Sequence, residues 1–239
     1  MKKYKNIDYK NENIFIADMK ISDVNGDCIS DIVWLIGNKL NKDSPFVENL
    51  TLRIRCGKTC MINDYPLAFG GGYDPKLFLG DFTGNKICDI LISIPTGGSG
   101  GYIYSYLFSY VNNILTPLFD AETLNQGIPL KAEFDDCYKV NIYNDAIKTN
   151  LTLDISSNPN VNLDELYDSK GKLITPVSGS VLPLSGLYPL DIDFDGSFEL
   201  MSIQRVIGRY NAETLGYVRG IWKYYDNMLN LERVEVVSA

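Results

Sequence analysis

Three stretches of this chain share one spacing: "DVNGDCISDIVWLIG" from Asp23, "DFTGNKICDILISIP" from Asp81 and "DIDFDGSFELMSIQRVIG" from Asp191. Each places oxygen-bearing side chains at relative positions 1, 3, 5 and 9 and a large aliphatic at position 10: Ile32, Ile90 and Leu200. Carboxylates packed this closely repel one another unless a positive charge sits among them. An anionic turn that recurs and each time runs into an apolar segment therefore asks for a counter-ion and a repeated scaffold.

The offsets set the period. Asp23 to Asp81 is 58 residues, and Asp81 to Asp191 is 110, close to twice that. A further copy is predicted near residue 131, where "KAEFDDCYKVNIYND" keeps the acidic-to-apolar shape but puts Lys131 and Lys139 at positions 1 and 9. That copy is expected to have lost its ion, with the lysines in its place. "ENLTLRIRCG", "GYIYSYLFSYVNN" and "GYVRGIWKYYDN" follow the intact turns and alternate as strands do. Each repeat then holds about four strands, the unit of a β-propeller blade, which cannot bury its faces alone and stacks on its neighbours. Helical signal is scarce; "NLDELYDSKGKLITP" at 162–176 reads as a turn of helix or a loop excursion.

The predicted architecture is therefore all-β, a small propeller of about four blades with calcium-binding loops between strands. It occupies one domain over 1–239, with blades near 14–70, 71–122, 123–183 and 184–239. Residues 1–13 are the candidate ring-closing strand; failing that, two chains close one larger ring.

Calcium takes six to eight oxygens, which a loop supplies from alternate side chains and a carbonyl. The expected ligands are Asp23, Asn25, Asp27, the Ile29 carbonyl and Asp31; Asp81, Thr83, Asn85, the Ile87 carbonyl and Asp89; and Asp191, Asp193, Asp195, the Ser197 carbonyl and Glu199. Gly26, Gly84 and Gly196 permit the sharp bends, although Gly196 sits two places later than the others. The same spacing opens a helical EF-hand, but that motif needs Glu at position 12 and an amphipathic helix beyond it. Here "DIVWLIG", "DILISIP" and "ELMSIQR" follow, and these read as strand. Up to three structural calcium ions are expected. By charge count the affinity should fall from 191–199 through 23–31 to 81–89.

These turns and their following strands resemble the FG-GAP or VCBS repeats, the calcium-loop β-propeller family of integrin-type propellers and many bacterial surface and secreted proteins. The resemblance implies a binding or scaffold module for a protein or glycan partner, at the cell surface or outside the cell. Integrin-type propellers have seven blades, whereas this chain holds about four.

Composition removes other classes. The absence of histidine excludes Ser-His-Asp and Cys-His catalysis and His-ligated metals. A formal charge of −8 with no basic face speaks against nucleic acid. No stretch approaches a transmembrane span, and "MKKYKNIDYKNENIFIADM" lacks the apolar core of a signal peptide, so a secreted form is expected to have had its leader trimmed. Five cysteines in an odd, wide spacing are expected to be mostly buried free thiols, although Cys56 and Cys60 flank "GKT" and could face each other across a hairpin.

Gly97-x-Ser99-x-Gly101 has the letters of a nucleophile elbow but no histidine, and "CGKTC" lacks the rest of a phosphate loop. Two alternatives to the scaffold stay open. One is a carboxylate-based polysaccharide hydrolase or lyase, which needs two carboxylates and no histidine. The other is a lectin, with Tyr102, Tyr104, Tyr106 and Tyr110 sharing one strand face as a sugar platform.

Overall fold

A computed structural model describes residues 14–239. The expected ring-closing segment, 1–13, lies outside the described residues. Seventeen elements follow in chain order: β1 (Ile14–Ser22), β2 (Asp31–Asn38), β3 (Phe46–Arg55), β4 (Ile62–Pro66), β5 (Gly72–Tyr73), β6 (Lys76–Gly80), β7 (Asp89–Pro95), β8 (Ile103–Ser109), β9 (Thr116–Pro117), α1 (Ala121–Gln126), β10 (Lys131–Asp135), β11 (Lys139–Asn144), β12 (Thr149–Asp154), β13 (Ser178–Leu190), β14 (Glu199–Ile207), β15 (Thr214–Tyr225) and β16 (Met228–Ser238). The protein is all-β, as its alternation indicates. The segment at 162–176 contributes a 3₁₀ turn, Leu163–Glu165, and an isolated antiparallel bridge between Tyr167 and Leu173.

The strands form three antiparallel sheets that stack in series. The first runs β1-β2-β3-β4, with β5 on β3; the second runs β6-β7-β8-β9; the third runs β12-β11-β10-β13-β14-β15-β16. Val33, Leu35, Leu52 and Ile54 of the first sheet pack against Leu77, Ile90, Ile92 and Ile94 of the second. Leu91 and Leu107, on the other face of that second sheet, pack against Leu184, Leu187 and Leu200 of the third. This double burial explains why "DILISIP" is an almost continuous apolar run: β7 is covered on both sides.

Residues 123–183 do not make a separate blade. β10 alternates Ala132 and Phe134 inward with Lys131, Glu133 and Asp135 outward, so the predicted acidic loop at 131–139 is strand, tight turn and strand. β10 then pairs with the start of β13, Ala132 opposite Gly179, which fuses this meander to the final one in a seven-stranded sheet. β13 can serve both because it is 13 residues long and bulged twice, between Val181 and Leu184 and between Leu184 and Gly186. Bulges bend and twist a strand, the usual route to sheet closure. The sheet curls into a nearly closed barrel whose edge strands β12 and β16 return against each other, around Phe134, Val140, Ile142, Leu153, Val206 and Val218.

Gln204 holds the bend. Its side chain is buried; Nε2 donates to the Ile128 and Leu182 carbonyls at 3.1 and 2.9 Å, and Oε1 accepts from the Ile128 amide at 2.7 Å.

All five cysteines are free thiols. Against expectation, Cys28, Cys60 and Cys137 are exposed rather than buried. Each occupies a left-handed turn position, φ 65°, 59° and 59°, where the chain lies at the surface. Cys56 and Cys60 close a tight turn through backbone, the Cys60 amide donating to the Cys56 carbonyl at 2.9 Å.

Candidate metal centre

Each acidic turn joins the first and second strands of a four-stranded meander: β1 to β2, β6 to β7 and β13 to β14. The turns lie in a row and are tied by one repeated hydrogen bond. The position-8 amide of the second turn, Cys88, donates to the Asp23 carbonyl at 3.2 Å, and that of the third, Phe198, donates to the Asp81 carbonyl at 2.7 Å. The period read from the sequence is thus a period in space.

The backbone path is also shared. Positions 4 and 6 are left-handed in all three turns: Gly26 and Cys28, Gly84 and Lys86, Phe194 and Gly196. This explains the displaced glycine. The third turn places its glycine at the second of two left-handed positions and accepts Phe194 at the first, where the side chain is 89 % exposed and meets no crowding.

Position 9 is a buried acid in every turn, and one of its oxygens always accepts the position-2 amide: Asp31 from Val24, Asp89 from Phe82, Glu199 from Ile192, at 3.0–3.1 Å. The other oxygen differs. In Asp31 it accepts the Gly57 amide at 2.8 Å. In Glu199 it meets Lys223 Nζ at 2.7 Å. In Asp89, fully buried, Oδ1 has no hydrogen bond of normal geometry, although the Ser109 side chain lies near enough to the carboxylate to favour its charged form. Burial pushes the Asp89 carboxyl up to about 6.

The remaining predicted ligands divide in two ways. In the first two turns the acids fold onto their own amides. Asp23 accepts from Asn25, Gly26 and Cys28, and Asp81 accepts from Gly84, Asn85 and Lys86. Asn25 and Asn85 accept from Asp27 and Ile87 two residues on, and Thr83 Oγ1 donates to Asp81 at 3.4 Å. Asp27 in turn accepts from the Ile29 amide. The third turn is more open: Asp191, Asp193 and Asp195 bring one oxygen each within 4.8 Å of one another, the only such acidic trio among the described residues. There Asp191 Oδ1 is buried without a partner, while Asp195 accepts from the Ser197 amide and hydroxyl.

Lys223 is the residue of the third turn's surroundings that the sequence reading missed. It bridges Glu199 and Asp193, at 2.7 and 2.9 Å, and these two acids hold its ammonium well above the usual lysine range. The signal lay in the third strands. Ile32 faces Arg55, Ile90 faces Phe108 and Leu200 faces Trp222, so one step further the position-9 acid lies opposite Cys56, Ser109 and Lys223. The lysines expected to replace an ion lie elsewhere: Lys139 pairs with Asp154, and Lys131 lies 5.9 Å from the Tyr143 ring.

The other candidates are structural. Tyr104 and Tyr106 do share a face, but it is the one packed between the first two sheets; Tyr106 and Tyr110 are buried, and Tyr104 stacks on Phe69 at 4.4 Å. Ser99 is held against the third sheet by Asn211.

No helix among the described residues is long and apolar enough to cross a membrane. No solved structure matches the chain. The family described as "YybI C-terminal domain" matches residues 128–237, which coincides with the seven-stranded sheet from β10 to β16 and includes the third turn. A Bacillus subtilis (strain 168) protein described as "Uncharacterized protein YybI" is 42 % identical over 219 residues, 91 % of this chain and 83 % of that protein. A likeness of that strength, running through all three turns and all three sheets, makes the chain a member of the YybI family.

Proposed function

We propose that this protein is a calcium-stapled β module that offers a rigid surface to a protein or glycan partner, the ions at its acidic turns serving structure rather than catalysis. The observation that carries the reading is Asp89: a fully buried carboxylate with one oxygen unsatisfied is costly, and a divalent cation beside it removes the cost. The unpartnered Asp191 Oδ1 supports the same reading for the third turn. The residues that would hold the ions are the oxygen donors at positions 1, 3, 5 and 9 of each turn, with the carbonyls of Ile29, Ile87 and Ser197. Serial stacking of the three turn-bearing meanders supports treating them as propeller-type blades.

A thermal melt in EDTA against one in millimolar calcium tests the proposal. One site filled at about a hundredfold excess over Kd adds about 2.7 kcal/mol. For a chain of this size that raises Tm by roughly 5–11 °C. Equal melting temperatures, together with no heat of calcium binding by calorimetry, would remove the proposal.

Lys223 alters the order expected from charge count, because a tethered ammonium already pairs with two of the four acids of the third turn and cancels one of their charges. Lys223→Met should tighten calcium at that turn by at least about tenfold, since a unit charge at contact distance outweighs the ~1.4 kcal/mol that this requires. The same change should lower Tm in EDTA. Calorimetric titration of the variant beside the parent reads the difference.

A further inference from the structure

The excursion at 162–176, which plays no part in the acidic turns, folds against the turn that joins β10 to β11. The Cys137 amide donates to the Gly171 carbonyl at 2.7 Å, the Leu173 amide donates to Asp136 Oδ1 at 2.9 Å, and Tyr167 and Leu173 form a bridge. Within the turn both Cys137 and Tyr138 are left-handed, at φ 59°. A bulky side chain seldom occupies that region, and such strain persists only where the surroundings impose it. Here the Tyr138 ring lies beside that of Tyr167, centroids 4.7 Å apart, and over Gly171, where a Cβ would come within 3.3 Å of it. Between this turn, the chain beyond β12 and the excursion opens a cleft of about 480 Å³, a usual size for a small-molecule site. Tyr138, Ser156, Asp164, Tyr167, Asp168 and Ser169 line it.

We infer that this cleft seats a neutral sugar ring of a glycan, a proposal that rests on the module reading above and gives its glycan partner a place. Tyr167 is the observation behind it. The residue is 5 % exposed and lines the cleft, yet its hydroxyl has no hydrogen-bond partner. Burial, with Asp135 and Asp136 nearby, pushes this phenol up to about 12, so at neutral pH it is both donor and acceptor and lacks a partner for either role. A buried polar group in that state is costly, and a ligand hydroxyl, itself donor and acceptor, removes the cost. The other lining groups select the chemistry. Tyr138 is half-buried and offers an apolar ring wall to the C–H face of a pyranose. Asp164 and Asp168 are exposed carboxylates; the Lys172 and Lys170 amides share one oxygen of Asp168 and hold its carboxyl below the usual range. Two acceptors beside the Ser169 hydroxyl match the adjacent hydroxyls of a sugar, whereas the same two charges repel a uronate or a sugar phosphate. A lone ammonium group would also be drawn to the acids, but it would fill only a small part of this volume.

Calorimetric titration of the full chain with cellotetraose, maltotetraose, mannotetraose and chitotetraose tests this, with tetragalacturonate and cadaverine as charged controls. At least one neutral tetrasaccharide should bind with a Kd below about 1 mM. Asp164→Asn, at an exposed position, should weaken that binding at least about tenfold while the melting curve stays that of the parent. Tyr138→Asn removes the ring and puts in its place a residue at home in the left-handed region, and it should weaken binding at least about tenfold as well. The Kd should be the same in EDTA and in millimolar calcium, because no residue of an acidic turn lines the cleft. Binding that obeys both substitutions in a chain that melts alike with and without calcium would uphold the seat while removing the calcium staple. Binding that both substitutions leave unchanged overturns the seat and leaves the module with its glycan elsewhere. Failure of all four neutral tetrasaccharides to bind, tighter binding of tetragalacturonate or cadaverine, or a Kd that rises at least about tenfold on chelation each overturns the inference.

Discussion

Gln204→Leu should lower stability by about 3–5 kcal/mol, even though it preserves side-chain volume and removes a buried polar group. The reason is what it leaves behind. The Ile128 amide and the Leu182 carbonyl find their partner in this one amide group, which also shares the Ile128 carbonyl with the Leu130 amide. A buried backbone group stripped of its partner costs about 1–3 kcal/mol, and two are stripped at once. Neighbours cannot compensate by moving in, because a Cβ on Gly127 would already lie 2.4 Å from Gln204. Denaturant titration of the variant gives the number; a loss below about 1 kcal/mol would mean that the bend in β13 holds itself. Since 76 residues separate Gln204 from Ile128, the loss should fall on the cooperative transition of the whole seven-stranded sheet.

Asp31→Asn and Asp89→Asn, the same chemical change at equivalent positions, should behave oppositely in metal-free buffer. Both oxygens of Asp31 accept backbone amides, from Val24 and Gly57. An asparagine there must turn an NH₂ toward one of those donors, so Asp31→Asn should cost about 2–4 kcal/mol, roughly 5–15 °C in Tm. Asp89 accepts amides through Oδ2 alone. An asparagine keeps that oxygen and puts its NH₂ where Oδ1 had no partner, so in EDTA the change should stay within about 1 kcal/mol. In calcium the order should reverse for the increment: Asp89→Asn should abolish the part of the stabilisation due to the 81–89 turn. Melts of both variants with and without EDTA make the comparison. Equal losses for the two in EDTA would show that the unsatisfied oxygen has no energetic consequence.

Much of this arrangement was legible in the chain because it is local. The spacing of Asp23, Asp81 and Asp191 located three turns that adopt one backbone path and sit between equivalent strands. Alternation found the strands, and the continuous run "DILISIP" marked the one buried on both sides. What escaped was pairing between distant segments. Nothing near Ala132 says that it lies opposite Gly179, and the fusion of two meanders depends on a bend in β13 that is stabilised from Ile128. Lys223 escaped for a related reason: its partners are 24 and 30 residues away, and only the ladder register brings them together. The tyrosines of β8 show the limit of parity. Alternation correctly put Tyr104 and Tyr106 on one side, but which side is packed depends on the neighbouring sheet.

The curled sheet stops one step short of a full cylinder. β12 and β16 lie side by side without a ladder; a cleft of about 420 Å³ runs between Lys148–Leu151 and Leu231–Val234, and one 3.5 Å hydrogen bond, from the Ser238 hydroxyl to the Asp154 carbonyl, joins the two strands among the described residues. Along this seam the outward-facing peptide groups of two strands rely on solvent rather than on each other, so amide protons there should exchange with deuterium sooner than those of β14, which is laddered on both flanks. The same proximity shields the seam: an incoming strand from another molecule finds each border obstructed by its opposite number, which guards an open sheet against edge-on aggregation without sealing it.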